Sequence, residues 1–281
     1  ANASSIGFDN TNALRSSESW PELSSSGSGY SVSFWLKLPN GTSGWPTWNY
    51  AFMISDSSNK YRMLGTFVYA SGDFRAYEGN ADTLSFASGY LNAYRMVQDK
   101  FWHHIAITST GTGSTNGLKI YFDGVFSVQG TGEALGSNLA STDLFLASNY
   151  SLANRVDANF DEFAIFGAEL SAGQVTALYN SGIPTDITAH ADIQHYYRMG
   201  DSIGDTAILI RDQVGGMDLD LPYGTPVLDA DVPYLIVTQV DPYYGDIAGS
   251  TTITITGSNL ANVSAITVDG NPCTSVVTAA S

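Results

Sequence analysis

Three large aromatic side chains lie close together in one Gly- and Pro-rich segment, and their type suggests sugar binding. The segment reads PNGTSGWPTWNY and carries Trp45, Trp48 and Tyr50. Aromatic rings stack on the apolar faces of sugars, and a neighbouring amide such as Asn49 can read the sugar hydroxyls. Two other interpretations stay open, since the rings could fasten a long loop to the core or form a subunit contact. We therefore take Trp45, Trp48, Tyr50 and Asn49 as candidate ligand-binding residues.

The second chemical candidate is the carboxylate pair Asp161 and Glu162. Retaining glycosidases need two carboxyl groups about 5 Å apart, but residues 163–166 after this pair are all apolar. His103 and His104 are adjacent in a predicted strand and would point to opposite faces, and no nearby carboxylate or cysteine completes a zinc site. We therefore predict no catalytic residues and no enzyme activity.

A short strand and a short helix must position this carboxylate pair. Residues Phe160–Phe166 are otherwise apolar on both faces, which predicts a central strand. Ser171 and Gln174 form a capping box, and Gly182 stands where a helix needs a left-handed residue to end. Most other segments alternate apolar and polar residues, and Tyr30–Leu38 is the clearest of these strands. The pattern predicts an all-β sandwich with one short helix.

The order of these segments resembles laminin G-like and concanavalin A-like jelly-roll domains. The matching phrases, in family order, are SIGFDNTNAL at 5–14, SFWLK at 33–37, WHHIA at 102–106, LKIYFDG at 118–124, and DEFAIF with AELSAGQVTALYNSG at 161–182. This resemblance implies a concanavalin A-like antiparallel β-sandwich. It leaves the function open, because such sandwiches serve as lectins, adhesion modules, glycosidases and structural domains.

The same resemblance implies a structural calcium site. Several laminin G-like domains hold calcium between the opening Phe-Asp segment and the Asp-Glu strand. The matching ligands are Asp9 and Asp161, with Asn10 and Asn159 as neighbours, and calcium prefers such oxygen ligands. The alternative is that Asp9 caps a turn and Asp161 accepts hydrogen bonds at a strand edge. Calcium is the one cofactor that we expect.

The stretch after the helix resembles a phrase that accompanies such domains, often in phage proteins. It reads HADIQHYYRMGD and then ILIRDQVGGMDLDL, in which Tyr196–Asp201 and Asp212–Gly216 match the phrase, and we expect strands that complete or brace the sandwich. Residues 222–231, which include Pro222 and Pro226, read as a linker. The jelly roll is therefore assigned to residues 1–221.

Residues 232–281 resemble the start of an IPT/TIG domain, an immunoglobulin-like module. The matching features are Pro233, Asp241-Pro242 with Gly245, and Thr252–Leu260. An immunoglobulin-like sandwich needs roughly 100 residues, so this tail is incomplete. Either the natural chain continues past Ser281, or a strand of another subunit completes the sandwich. We expect an oligomer or lattice contact through this tail.

Composition narrows the range of partners. The chain has 27 acidic and 11 basic residues and a net charge of −16, which disfavours nucleic acid as a partner. Cys273 is the only cysteine, so an intrachain disulfide is excluded. No apolar run reaches the roughly 18 residues of a membrane-spanning helix, so we expect no membrane insertion.

These observations together predict a non-enzymatic surface protein. The first hypothesis is a virion component, such as a phage appendage, whose lectin-like head serves host attachment or assembly. The segment ANASSIGFDN lacks the regions of a signal peptide, which favours release on a virus particle or a leader already removed. The alternative is a carbohydrate-binding module of a secreted or cell-surface bacterial protein. The expected partner is a surface glycan or another subunit, and the expected location is the virion surface or the extracellular space.

Overall fold

The computed structural model describes residues 2–16, 29–40, 48–56, 59–69, 74–80, 83–88, 100–112, 114–131, 142–233, 236–242, 251–258, 266–268 and 271–273. The strands are β1 (Ser5–Asp9), β2 (Ala13–Ser16), β3 (Tyr30–Lys37), β4 (Trp48–Asp56), β5 (Asn59–Tyr69), β6 (Phe74–Asn80), β7 (Thr83–Ser88), β8 (His103–Ser109), β9 (Leu118–Phe122), β10 (Val125–Gly130), β11 (Thr142–Leu146), β12 (Asp157–Phe166), β13 (Ile193–Tyr197), β14 (Leu219–Tyr223), β15 (Val227–Asp229), β16 (Ile236–Asp241), β17 (Thr254–Ser258), β18 (Thr267–Val268) and β19 (Asn271–Pro272). The described residues contain one α-helix, α1 (Ala172–Tyr179). The β-rich architecture of the described residues, with this short α-helix, confirms the predicted fold class.

Two large antiparallel sheets enclose the main core. The eight-stranded sheet has the order β10-β9-β8-β3-β12-β1-β15, with β13 also paired to β12, and the seven-stranded sheet has the order β14-β2-β11-β4-β5-β6-β7. Because side chains alternate along a strand, Val32, Phe34 and Leu36 of β3 face the core, as do Phe52 and Ile54 of β4. The rings of Phe34 and Phe52 meet edge to face with centroids 5.5 Å apart, which joins the two layers.

Strand β12 lies inside the eight-stranded sheet, as predicted, and contains a β-bulge at the carboxylate pair. Asp161 pairs with Trp35 and Ala164 pairs with Ser33, so two residues of β12 stand opposite one residue of β3. Glu162 has a φ of 48°, a left-handed conformation that is uncommon for residues other than glycine. The bulge places both carboxylates on the outer face of the sheet, away from the main core.

The neighbour of β12 changes at this bulge. Strand β1 pairs with the first half of β12 up to Phe160, and β13 pairs with the second half from Phe163 onward. Since β3 occupies the opposite edge of β12, β1 and β13 share one edge and leave a gap between them. Asp161 and Glu162 lie at that gap.

Helix α1 covers part of the outer face of the eight-stranded sheet. Ser171 Oγ accepts a hydrogen bond from the Gln174 N–H, and Gln174 Oε1 accepts one from the Ser171 N–H. This confirms the capping box predicted from the sequence. The helix buries Val175, Leu178 and Tyr179 against the sheet, and it ends before three consecutive left-handed residues at 180–182.

The prediction that residues 222–231 form a linker is wrong, because this stretch belongs to the sandwich. Strand β14 pairs with β2 at the edge of the seven-stranded sheet, and β15 pairs with β1 at the edge of the eight-stranded sheet. Pro222 is compatible with β14 because an edge strand tolerates a residue without an N–H. The jelly roll therefore continues beyond residue 221.

Asp231 fastens the residues after β15 to the eight-stranded sheet. Its carboxylate accepts a hydrogen bond from Trp102 Nε1 at 2.9 Å and pairs with the Lys37 ammonium group, and its carbonyl oxygen accepts one from Ser5 Oγ at 2.6 Å. The next residue, Val232, is 3% exposed. We call Asp231 and these three partners the Asp231 clasp, and we place the end of the jelly roll after Val232.

The described part of the tail consists of two antiparallel strand pairs. Strand β16 pairs with β17, and β18 pairs with β19. These pairs agree with the predicted beginning of an immunoglobulin-like sandwich. Across the described ranges, the structure contains no helix with the length and hydrophobicity of a membrane span.

Candidate functional site

Of the four predicted ligand-binding residues, the structure places Tyr50 at the surface. Trp45 lies outside the described residues, as does the side chain of Trp48, whose backbone begins β4. Asn49 is 0% exposed, so the prediction that its amide contacts a sugar is wrong. Tyr50 is half-buried, and its ring meets the ring of Tyr77 edge-on at 6.3 Å between centroids.

Tyr50 belongs to an apolar cluster on the outer face of the seven-stranded sheet. We call this cluster the tyrosine face, and it comprises Tyr50, Met53, Tyr77, Phe145, Tyr150 and Leu152. Met53 pairs with Phe145 on one side and with Gly65 on the other, and Gly65 pairs with Tyr77, so the cluster crosses four strands. A Cβ atom at Gly65 would lie 2.5 Å from the Tyr77 hydroxyl oxygen, so glycine is needed for Tyr77 to lie over β5.

The loop between β11 and β12 carries Tyr150 to this face. Asn149 Oδ1 accepts hydrogen bonds from the Ser151 N–H at 3.0 Å and from Ser151 Oγ at 2.9 Å, which folds the loop into an Asx-turn. The Tyr150 N–H contacts Met53 Sδ at 3.2 Å, and the Tyr50 N–H donates to a loop carbonyl at 2.9 Å. Two partly buried tyrosines, Tyr50 from β4 and Tyr150 from the loop, therefore pack on the same face.

Charged groups border the tyrosine face. The Arg15 guanidinium lies 5.9 Å from the ring centroid of Phe145, and its Nη1 lies 3.7 Å from Asp143 Oδ2. Arg75, two residues before Tyr77 on β6, is half-buried on the same side of the strand. Aromatic rings beside hydrogen-bonding groups are the chemistry of a sugar-binding surface.

The residues predicted to hold calcium do not converge on one point. In the register of β1 and β12, Asp9 pairs with Asp157. Asp161 lies four residues further along β12, so its Cα atom is about 13 Å from the Cα atom of Asp157. One ion cannot bind carboxylates that far apart, because calcium–oxygen distances are about 2.3–2.6 Å. Asp9 Oδ1 instead accepts hydrogen bonds from the N–H and hydroxyl of Thr11, which lower the pKa of Asp9.

The two asparagines of the predicted calcium site have other roles. Asn10 adopts a left-handed conformation with a φ of 62° in the turn after β1. Asn159 is 6% exposed, and its Nδ2 lies 3.4 Å from Asp229 Oδ2. In the part of the chain that the structure describes, no three Asp, Glu, His or Cys side chains are arranged to hold a metal ion. The proposed ligand set therefore does not fit calcium.

Asp161 and Glu162 belong to a buried acidic cluster at the gap between β1 and β13. Asp161 is 0% and Glu162 5% exposed, and the side chain of Asp201 is 2% exposed. Burial raises the pKa of Asp161 well above its usual value, and the charge of Glu162 raises it further. Burial also raises the pKa of Glu162 to about 7, although hydrogen bonds from Tyr196 and Arg198 oppose this shift.

Arg198 is the cation of this cluster. Its Nη2 lies 3.4 Å from Glu162 Oε1 and 3.6 Å from Asp201 Oδ2. Asp201 Oδ1 also accepts hydrogen bonds from the N–H groups of Ala3 and Ser4, at 2.9 and 2.8 Å. The Arg-Met-Gly-Asp part of the sequence phrase thus ties the amino-terminal segment to β12, a role that sequence reasoning missed.

His195 and Asp212 brace the sandwich, as predicted for their phrase. His195 Nδ1 lies 2.6 Å from Asp212 Oδ2, and the same carboxylate accepts hydrogen bonds from the N–H groups of Tyr196 and Met217. A Cβ atom at Gly215 would lie 2.3 Å from His195 Nδ1, so only glycine fits there. The hydrogen bonds to Asp212 lower its pKa against the effect of burial.

Two family models match the sequence. The model of the Concanavalin A-like lectin/glucanases superfamily matches residues 9–176, and the model of the IPT/TIG domain matches residues 235–281. Both matches confirm the resemblances recognised in the sequence. No curated protein matches the chain.

Several solved structures are similar to this chain. A candidate carbohydrate-binding protein from Bacteroides ovatus aligns with a TM-score of 0.53 and 10% identity, covering 81% of this chain and 59% of that one. The heptameric SAP-like pentraxin from Limulus polyphemus aligns with a TM-score of 0.47 and 16% identity, covering 64% of this chain and 83% of the pentraxin chain. The third structure is domain 4 of an extracellular arabinanase from Geobacillus stearothermophilus, solved with arabinotriose. It aligns with a TM-score of 0.45 and 20% identity, covering 62% of this chain and 76% of that one. The chain spans less than two thirds of the Bacteroides protein, and that likeness supports the sandwich fold.

Proposed function

Since the chain belongs to the Concanavalin A-like lectin/glucanases superfamily, we propose that it is a non-enzymatic surface module that binds a glycan through the tyrosine face. The observation that carries this proposal is the pair Tyr50 and Tyr150. Both residues are partly exposed, and both pack on the apolar cluster of one sheet face. Rigid rings offer apolar area to a sugar at a low cost in conformational entropy.

The arrangement of the carboxylates supports a binding role over catalysis. Glycoside hydrolysis needs two carboxyl groups that reach the scissile bond from either side. Asp161 and Glu162 are buried on the outer face of the other sheet, where Arg198 and Tyr196 bond to Glu162. Among the described side chains of the tyrosine face, the carboxylate is that of Asp143, and the Arg15 guanidinium lies beside it.

Binding to soluble polysaccharides tests the proposal. Affinity electrophoresis identifies a retained polysaccharide, and calorimetric titration with its oligosaccharides then gives the dissociation constant. We expect Tyr50→Ala and Tyr150→Ala each to weaken binding about fivefold to tenfold, the equivalent of roughly 1 to 1.4 kcal/mol.

Phe126→Ala is the matched control, because Phe126 is an exposed aromatic residue, at 47%, on β10 of the other sheet. Its dissociation constant should equal that of the unaltered chain. Equal weakening by all three substitutions, or binding unchanged in both tyrosine variants, would reject the tyrosine face as the site.

We further propose that this module acts on a virion or cell surface, with the immunoglobulin-like tail in contact with neighbouring subunits. The support is the phage-like phrase at 196–201 and the IPT/TIG match over 235–281. Electron microscopy of native particles labelled with an antibody to the chain tests this location. Free monomeric protein that binds glycans, with no labelled particle, would favour the alternative of a carbohydrate-binding module in a secreted or cell-surface bacterial protein.

A further inference from the structure

The loop between β11 and β12, which carries Tyr150 to the tyrosine face, has a strained backbone. Ala147, Leu152 and Asn154 have φ values of 62°, 57° and 50°, in the left-handed region that residues other than glycine rarely occupy. Strained residues of this kind persist only where the surrounding structure fixes them, and they concentrate at ligand-binding segments. The other side chains of this loop are therefore candidates for ligand contact.

Arg155, at the end of this loop, places its guanidinium group at the border of the tyrosine face. The backbone of Arg155 forms a β-bridge with Tyr50. Arg155 Nε donates a hydrogen bond to the carbonyl oxygen of Asn10 at 2.8 Å, and Nη1 donates one to the carbonyl oxygen of Leu152. Leu152 belongs to the tyrosine face. These bonds hold the guanidinium group in place.

Tyr223 extends the aromatic surface on the far side of this guanidinium group. Arg15 of β2 lies over Phe145 of the tyrosine face. Alternation along β2 puts Ala13 on the same side as Arg15, and Ala13 pairs with Tyr223. The Arg155 guanidinium carbon lies 4.8 Å from the centroid of the Tyr223 ring, yet Tyr223 is still 44% exposed. The sheet face therefore offers a third exposed tyrosine, with a guanidinium group between it and the tyrosine face.

The guanidinium group of Arg155 has a donor nitrogen left for a ligand. Nε and Nη1 bond to the two carbonyl oxygens, whereas Nη2 bonds to no residue that the structure describes. Asp9 lies near this charge: a hydrogen bond from Thr11 lowers the pKa of Asp9, and Arg155 lowers it further. The Oδ1 atom of Asp9, however, bonds to Thr11 and Asn12. Guanidinium N–H groups match the oxygens of a carboxylate.

The local balance of charge also favours an anionic ligand. The described side chains on or beside the tyrosine face include three arginines, Arg15, Arg75 and Arg155, and two carboxylates, Asp143 and Asp9. This balance is positive, whereas the whole chain has 27 acidic and 11 basic residues. Exposed charges more than about 10 Å away are largely screened at 0.1 M salt. The groups at the face therefore determine which charge a ligand can bring there.

We propose that Arg155 and Tyr223 form a second subsite, the Arg155 subsite, which binds a sugar that carries a carboxylate. This inference rests on the proposed glycan binding at the tyrosine face. The uncovered part of the Tyr223 ring contacts the apolar face of the sugar, and Arg155 Nη2 donates to its carboxylate. Tyr50 and Tyr150 contact neighbouring sugars of the same chain. The ligand is therefore an acidic oligosaccharide.

Oligosaccharides that differ only in their carboxylates test the chemical class of the ligand. The probes are hexasaccharides of polygalacturonate, alginate and hyaluronan, each before and after chemical reduction of its carboxylates, titrated calorimetrically into the full chain. We expect an acidic hexasaccharide to bind about tenfold or more tightly than its reduced form. Binding of neutral polysaccharides alone, or equal binding of both forms, would overturn the acidic-sugar assignment and leave the tyrosine face standing. Failure to bind any polysaccharide would reject the proposed function itself.

Arg155→Gln should abolish the preference for the acidic form over the reduced form. Lys119→Gln is the control, because it removes one positive charge from β9 of the other sheet and should leave the preference unchanged. Arg155 also holds the loop through Asn10 and Leu152. A purely structural role would weaken both forms equally and keep their ratio, and that result would overturn the proposal.

A second variant keeps the test decisive if Arg155→Gln does not fold. Tyr223 is exposed on the edge strand β14, so Tyr223→Ala leaves the core intact. We expect this change to weaken binding of the acidic hexasaccharide about fivefold, whereas Phe126→Ala should not weaken it. Weaker binding in Tyr50→Ala with unchanged binding in Tyr223→Ala would keep the tyrosine face as the glycan site and remove the Arg155 subsite.

Discussion

Glu162 and His104 line one pocket, and burial shifts their pKa values in opposite directions. The pKa of Glu162 rises from 4.5 to about 7, so its contribution to stability is complete below pH 4.5 and is lost as the pH rises through 7. The pKa of His104 falls from 6.5 to about 4, so its contribution is complete above pH 6.5 and is lost as the pH falls through 4. The two effects oppose each other between pH 4.5 and 6.5.

Single substitutions should separate these two effects. We expect Glu162→Gln to lose stability relative to the unaltered chain as the pH falls from 6.5 to 4, because His104 then acts alone. His104→Gln should instead lose stability as the pH rises from 4.5 to 7. Each slope is at most about 1.4 kcal/mol per pH unit. Urea unfolding across this range measures both, and pH profiles parallel to that of the unaltered chain would contradict the assignment.

Gly215 should be intolerant of any side chain. Its Cβ position is 2.3 Å from His195 Nδ1, so Gly215→Ala would push His195 away from Asp212 and cost about 1–3 kcal/mol. Gly173→Ala is the control, because a Cβ there meets no atom within 4 Å and lies in α1. That change should stabilise the chain by about 0.5–1 kcal/mol. Equal urea midpoints for the two variants would show that the His195 contact is not constrained.

The sequence identified which residue types could bind a ligand, but it did not show which of these residues lie at the surface or close to one another. Tyr50 could be recognised as a surface aromatic, whereas Asn49 is buried, because the strand begins earlier than the predicted loop allows. The separation of Asp9 from Asp161 could not be read from the sequence, since the register of β1 against β12 depends on pairing across the whole chain. The partnership of Tyr150 with Tyr50 depends on a loop conformation that has no periodic signal in the sequence.

At the scale of elements, local patterns predicted most of the sandwich. Alternation identified β3, and the capping box identified the beginning of α1, because both signals act within a few residues. The β-bulge in β12 had no such signal, since a run of apolar residues has the same pattern in a regular strand and in a strand that contains a bulge. Strands β14 and β15 were missed because Pro222 and Pro226 resemble linker residues, although edge strands tolerate proline.

The capping box predicts a measurable contribution of α1 to stability. Ser171→Ala removes the acceptor for the Gln174 N–H and should lower the free energy of unfolding by about 1 kcal/mol. Ser171→Asp keeps an acceptor at the same position and should restore most of that loss. Chemical denaturation of the three proteins provides the measurement. A Ser171→Asp variant as unstable as Ser171→Ala would mean that the cap is not the cause.

At the scale of the whole molecule, the chain carries a net charge of −16. The effect of one cation on its melting temperature must therefore be separated from general charge screening. Calcium binding by Asp9 and Asp161 stays a prediction from family resemblance, and the register of β1 against β12, which sets the two residues apart, argues against it. We therefore expect a chelator to leave the melting temperature of freshly purified chain unchanged. Magnesium at equal ionic strength controls for general screening. A rise in melting temperature with calcium but not with magnesium would restore calcium as a cofactor.

The limit of the jelly roll can be tested by shortening the chain. A chain that ends at Pro233 keeps β14, β15 and the Asp231 clasp, so its melting temperature should match that of the jelly-roll transition in the full chain. A chain that ends at Leu221, the boundary that the sequence suggested, lacks β15 and leaves the Lys37 and Trp102 donors without Asp231.

The shorter chain also exposes the edge of β1, which β15 covers in the full chain. Unpaired strand edges promote aggregation, and unpaired donors near the core cost about 1–3 kcal/mol each. We therefore expect the chain ending at Leu221 to melt at a lower temperature and to aggregate. Asp231→Ala in the chain ending at Pro233 should reproduce part of this loss, with a change in tryptophan fluorescence from the lost Trp102 hydrogen bond. Equal melting temperatures for both truncations would return residues 222–231 to the role of a linker.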